Sequence, residues 1–255
     1  MILQVENISK SFGGVEALSD ISFSFSQGQI GAFIGPNGAG KTTLINVLSG
    51  ILQPCQGTIL LYNQPLSGLS SQEISKLGIA RTFQNLQIFT NMTVLENVMV
   101  GCHIHGKTGL LQAAFRLGTA QEERRIREKS MALLAKVGLV HFADEPAENL
   151  PFGQKRLLEI ARALAIEPKI LLLDEPAAGL NPTETRFLVE LIYSIRQAGV
   201  TVLLVEHDMD TVMEVADKVV VLDFGRKIAE GSPKEICCDP RVIQAYLGEE
   251  VSNPA

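Results

Sequence analysis

A chain of 255 residues with 22 Lys and Arg against 28 Asp and Glu carries a formal net charge of −6 and a pI near 5.3, which leaves no electrostatic footprint for duplex nucleic acid. Its 46% hydrophobic content is enough for a sizeable core in one or two domains. No apolar run approaches the roughly 18 residues of a membrane span, the start MILQVENISK has no charged leader followed by an apolar stretch, and Cys55, Cys102, Cys237 and Cys238 form neither a disulfide framework nor CxxC pairs, so a cytoplasmic protein with reduced thiols is expected.

Along the chain, short β-rich apolar segments recur as ILQV at 2–5, ISFSF at 21–25, IGAFI at 30–34, ILLL at 170–173, VTVLLV at 200–205 and KVVVL at 218–222. ISFSF alternates like a strand with one polar face. The later runs are continuously apolar, as central parallel strands covered on both sides would be. Helical patterns at 183–198 and 208–216 separate these runs. Between about 90 and 165 the β-rich runs stop and charged or Ala/Leu-rich stretches such as EERRIREKSMALLAKVGL take over. The pattern predicts an α/β core with a mainly parallel sheet over 1–88 and 166–255, interrupted by a helical subdomain over 89–165. Inside that subdomain NLPFGQKR at 149–156 opens a helix whose apolar residues fall at 157, 158, 161, 164 and 165. Pro151 suits the first helical position, because its missing N–H would have no partner there. The helix start itself is a ready anion site.

Four stretches are candidates for chemistry, and three keep it. GPNGAGKTT at 35–43 follows the apolar run IGAFI and precedes the helical pattern LINVLSG, so Gly35, Gly40, Lys41 and Thr42 satisfy GxxxxGK[ST] in a strand, loop, helix context. Glycines there let backbone N–H groups face a phosphate chain, Lys41 supplies charge to the β and γ phosphates, and the Thr42 hydroxyl suits Mg²⁺. GCHIHGKT at 101–108 fits the same pattern through Gly101, Gly106, Lys107 and Thr108. The segment before it reads as a helix opened by Thr93, so it is rejected as a phosphate loop, and His103 and His105 lack a third ligand at sensible spacing. ILLLDE ends in two carboxylates: Asp174 can hold Mg²⁺ through water, and Glu175, differently directed, can act as general base toward water. The next strand ends in EHD and sets His207 at the same edge of the sheet, within reach of a γ-phosphate.

Together GPNGAGKTT, Gln84 in RTFQ, NLPFGQ, LLLDEP, GLNP and His207 resemble the ATP-binding subunit of an ABC transporter, across essentially the whole chain. The resemblance implies a RecA-like phosphate-loop core with an N-terminal antiparallel β part. It also implies two subunits paired head to tail around two ATP molecules, each site joining one chain's phosphate loop to the other's NLPFGQ. On that likeness Gly35, Pro36, Asn37, Gly38, Ala39, Gly40, Lys41, Thr42 and Thr43 hold the phosphates, and Phe12 stacks on adenine. Gly153 and Gln154 contact the γ-phosphate and ribose of the partner's ATP. Gln84 senses Mg²⁺ and water and starts the loop that touches the membrane subunit. Two positions depart from the family: Pro151 stands where a serine is usual, and Asn181 where an aspartate is usual.

A narrower resemblance lies in GIARTFQNLQIFTNMTVLENVMVG, DEPAAGLNPTET, EHDMDTVMEVADKVVVLDFGRKIAEGSP and DPRVIQAYLGEE. These look like the ATPases of bacterial branched-chain and hydrophobic amino-acid importers, and like the longer of their two ATPase types, with extra residues at roughly 101–121. Such importers have two different ATPases, a pair of permeases and an extracytoplasmic binding protein, so the second ATPase is expected to be a different paralogue, with a homodimer as the alternative. The implied place is peripheral, on the cytoplasmic face of the inner membrane, and no nucleic-acid partner is expected. The alternatives are an ABC ATPase serving a lipid, urea or amide transporter, and a soluble ABC ATPase of translation or DNA repair. Against the latter stand a single cassette, no heptads and an acidic balance.

Overall fold

The continuously apolar runs form the middle of a six-stranded sheet. In the computed structural model, which describes residues 1–82, 87–102 and 119–251, β3 (Ile30–Ile34), β7 (Ile170–Asp174), β8 (Thr201–Val205) and β9 (Lys218–Asp223) lie parallel. With β6 (Ile79–Arg81) and β10 (Arg226–Gly231) the order is β10-β9-β3-β8-β7-β6, and only β10 runs antiparallel. Their side chains alternate between two cores. Ile30, Ala32, Ile34, Leu171, Leu173, Val202, Leu204, Val219 and Val221 join one, while Phe33, Ile170, Leu172, Leu203, Val205, Val220 and Leu222 join the other. A strand buried on both faces has no polar side to show, which is why these runs read as unbroken apolar sequence.

The second core is closed by an antiparallel sheet of β1 (Leu3–Phe12), β2 (Val15–Phe25), β4 (Gln56–Leu61) and β5 (Gln64–Pro65), in the order β2-β1-β4-β5. The expected alternation holds in β2: Ile21, Phe23 and Phe25 are buried, while Ser22 and Ser24 are partly exposed. Phe23, Phe25 and Phe33 meet edge to face, with ring centroids 5.2–5.8 Å apart, and lock the two sheets together.

The helices follow the predicted periods. α1 (Lys41–Leu48) starts after the glycine loop, and α2 (Ser71–Leu77) is closed by a capping box from Ser70 and Glu73. α3 (Val94–Cys102) opens at Thr93, as expected, through reciprocal bonds with Glu96: the Thr93 N–H donates to Glu96 at 2.8 Å and the Glu96 N–H to Thr93 Oγ1 at 3.2 Å. It packs on α4 (Thr119–Lys136) and α5 (Phe152–Leu164), and no β-strand lies between α3 and α5 among the described residues. Pro151 is corrected by one position: it is the N-cap of α5, with extended ψ 155, and Phe152 is the first helical residue. Having no N–H, proline fits either place. α6 (Pro182–Gln197), α7 (Met209–Val215), α8 (Pro233–Cys237) and α9 (Pro240–Val251) complete the chain.

Candidate nucleotide site

The phosphate loop, Asp174, Glu175 and His207 sit at the carboxyl ends of the parallel strands, where open α/β sheets leave a crevice. The loop between β3 and α1 is pinned from two sides. Gly40 has φ 98, and a Cβ on it would lie 2.6 Å from the Ala17 carbonyl oxygen. At Gly35, with φ 147, a Cβ would lie 2.0 Å from that of Leu222. Only glycine fits either place, because positive φ and backbone contact coincide. Lys41 is 6% exposed and its ammonium donates to the carbonyl oxygens of Gly35 at 2.6 Å and Pro36 at 2.8 Å, while Thr42 is exposed at the second position of α1. A cleft of about 370 Å³ opens on this loop, lined by Asn37–Thr43, by Val15, Glu16 and Ala17 of β2, and by Glu175 and His207.

Asp174 closes β7 and is 1% exposed. Its Oδ2 accepts from Arg81 Nη2 at 2.9 Å, and Arg81 also donates to Asn46 Oδ1 at 2.5 Å and Ser49 Oγ at 3.2 Å, so one guanidinium joins β6, the end of β7 and α1. Burial pushes Arg81 below its ordinary pKa, against the bond and charge of Asp174. Asp174 Oδ1 is buried with no hydrogen-bond partner among the described residues. Removing Arg81 would leave a buried carboxylate without its cation, which typically costs about 3 kcal/mol or more. Arg81→Met is therefore expected to lower unfolding free energy by roughly that amount, read as a shift of the urea midpoint.

Glu175 follows with φ 48, a left-handed conformation unusual for a non-glycine residue. The turn breaks the strand's alternation and aims the carboxylate into the cleft, while the Glu175 N–H donates to the Val205 carbonyl at 3.0 Å. Its Oε1 lies 2.9 Å from His207 Nε2. Directly before His207 is Glu206, 3% exposed, whose Oε1 accepts from the Ala177 N–H at 2.9 Å and Oε2 from the His207 N–H at 3.3 Å. Burial pushes the Glu206 carboxyl up to about 7, helped by the negative Asp208 and Glu175 and resisted by the two N–H donors.

The other sequence candidates stand apart. Phe12 ends β1 opposite Val15, exposed, with the Lys10 ammonium 5.2 Å from its ring centroid. Gly153 lies in the first turn of α5, where a Cβ would meet Glu184 Oε1 at 2.4 Å, and Gln154 Oε1 is buried without a hydrogen-bond partner among the described residues. Neither Phe12 nor these two lines the cleft. Asn181 caps α6, accepting from the N–H groups of Thr183 and Glu184 at 3.0 Å each. Gln84, His103, His105, Lys107 and Thr108 lie outside the described residues. Arg81 and Glu206 went unread in the sequence. A charged residue directly after the fully apolar run VTVLLV is the signal that could have marked Glu206 as buried.

A phosphate loop facing a carboxylate and an imidazole at the ends of parallel strands defines an ATP-binding α/β protein. Residues 18–178 match the model of the ABC transporter family, and residues 226–252 match that of the branched-chain amino acid ATP-binding cassette transporter. The chain belongs to the ABC transporter family of ATP-binding subunits. It is 43% identical over 250 residues to the high-affinity branched-chain amino acid transport ATP-binding protein LivG of Escherichia coli K12, covering 97% of this chain and 98% of that one. To the corresponding protein BraF of Pseudomonas aeruginosa it is 44% identical at the same coverage. Its fold is similar to the crystal structure of an ATP-binding cassette of an ABC transporter in its ADP conformation, with a TM-score of 0.85 and 37% identity over 97% of this chain and 98% of that one. A nucleotide-free cassette gives 0.84 and 36%, over 96% and 98%.

Proposed function

We propose that this chain is the ATP-hydrolysing subunit of an importer for branched-chain and hydrophobic amino acids, driving uptake through membrane permeases. One observation supports the catalytic part above others: the Glu175 carboxylate, bonded to His207 at 2.9 Å, lines the same cleft as Lys41 and Thr42. Glu175 accepts the proton of the attacking water, and His207 orients Glu175 and reaches the γ-phosphate. Lys41 exchanges the loop carbonyls for the β and γ phosphates, and the loop N–H groups from Gly35 to Thr43 hold the rest. Mg²⁺ fits the donor set of the Thr42 hydroxyl, the buried Oδ1 of Asp174, which has no hydrogen-bond partner among the described residues, and Gln84, and when bound it would neutralise charge on the phosphates.

Phe12 stacks on adenine. Gly153 and Gln154 lie outside this chain's own cleft, which accords with their serving the ATP of a second ABC ATPase subunit, a paralogue or another copy. On the family likeness the stretch that starts at Gln84 carries the contact to two permeases, and an extracytoplasmic binding protein delivers the cargo. The subunit is then peripheral, on the cytoplasmic face of the inner membrane; no helix among the described residues is long and apolar enough to cross a membrane. Cargo rests on the names of the relatives. In vesicles holding the copurified complex, ATP inside and binding protein outside should drive uptake of labelled leucine, isoleucine or valine. Transport of urea or an amide instead, or of none of these, would overturn the assignment of cargo.

A further inference from the structure

We propose that Glu206 is a positioning residue for ATP hydrolysis: its buried carboxylate spans the N–H groups of Ala177 and His207 and fixes the loop behind Glu175 against the loop that carries His207. The inference rests on Glu175 being the general base. The contacts form a closed circuit. Glu175 is two residues before Ala177, Ala177 donates to Glu206 at 2.9 Å, Glu206 accepts from His207 at 3.3 Å, and His207 returns to Glu175 at 2.9 Å. Beside the strand hydrogen bonds, the Glu175–Val205 bond and the Glu175–His207 contact, the two strand ends thereby acquire a further tie at the height of the reacting groups.

The choice of a carboxylate here is informative. No Lys or Arg among the described residues forms an ion pair with Glu206, and its nearest charged neighbours, Asp208 and Glu175, are acidic. An unpaired buried carboxylate is costly, so an apolar side chain would serve packing better. What an apolar side chain lacks is two acceptor oxygens on one short arm. The tie also has room to matter. A cavity of about 300 Å³ beside it is lined by Ala177, Ala178, Leu180 and Thr185 together with Glu175, Glu206, His207 and Asp208, so the segment from Glu175 to Leu180 is not held from that side by close packing.

Glu206→Gln keeps the shape but replaces one acceptor with an amide NH₂, so one of the two N–H groups loses its partner. Glu206→Asp keeps the charge and loses the reach. In the copurified transporter complex, each variant is expected to lower kcat by about tenfold while KM for ATP stays within about twofold and the thermal midpoint is held, the pattern of an interaction that acts on the chemical step. Wild-type kcat in Glu206→Gln would overturn the proposal. So would a fall in kcat matched by an equal loss of ATP affinity or of thermal midpoint, which would mark a merely structural residue. Should Glu206→Gln fail to assemble, Glu206→Asp decides by the same split. Glu175→Gln, measured alongside, separates the two ideas: near wild-type turnover there removes the base itself, whereas a dead Glu175→Gln beside a fully active Glu206→Gln removes only the tie.

Discussion

Glu175→Gln is expected to cut ATP turnover by about a thousandfold, within the range of 10²–10⁴ that a positioned base contributes, while leaving ATP binding intact. The amide matches the carboxylate in shape and still bonds His207, whose ring nitrogen lies 2.9 Å from Glu175 Oε1. It can orient water but cannot take its proton. The left-handed turn at Glu175, φ 48, belongs to the backbone and survives the change, so the substitution tests chemistry and not folding. With hydrolysis stopped and ATP still bound, any ATP-closed pair of subunits should accumulate, and size-exclusion chromatography in ATP would reveal it. Turnover near the wild-type rate would remove Glu175 from the base role.

Residues that lie together in sequence were legible. GPNGAGKTT after an apolar run, the acids after ILLL and the histidine after VTVLLV each carry their own context, and the structure sets the loop from Asn37 to Thr43, Glu175 and His207 around one cleft, with Asp174 buried behind it. Both-sided burial made the central strands equally plain. The edges were harder. β6 is only three residues long, and β10, RKIAEG, is charged because an edge strand facing water must discourage further pairing. Half of β1 was hidden for a similar reason, since NISKSF is partly solvated and shows no apolar run. Arg81 could not be read as part of the site, and Glu206 only as a charge placed directly after an apolar run. Their partners Asp174 and Ala177 are 93 and 29 positions away, and a polar residue's burial depends on a neighbour that local periodicity does not specify. Pro151 shows a finer limit: its chemistry suits either side of a helix boundary, so its place as N-cap is decided by the chain around it.

Lys41→Ala is expected to weaken ATP binding and abolish measurable hydrolysis, whereas Lys107→Ala should do neither. The Lys41 ammonium is nearly buried and already turned into the loop, donating to Gly35 and Pro36 at 2.6 and 2.8 Å, so it reaches a bound phosphate chain without crossing solvent. Hydrogen bonds to charged groups are worth about 1.5–3 kcal/mol each. Losing two would cost roughly a hundredfold or more in binding, rate or both. Lys107 has the same neighbours in sequence, in GCHIHGKT, yet a cradle needs a strand feeding the loop, and the residues before it form α3 from Val94 to Cys102. Titration with a fluorescent ATP analogue, steady-state hydrolysis and circular dichroism on both variants provide the check. Equal losses of activity in the two, with folding intact, would mean that the second glycine-lysine sequence also meets nucleotide. Loss confined to Lys41→Ala would show that strand context, and not the motif alone, makes a phosphate loop.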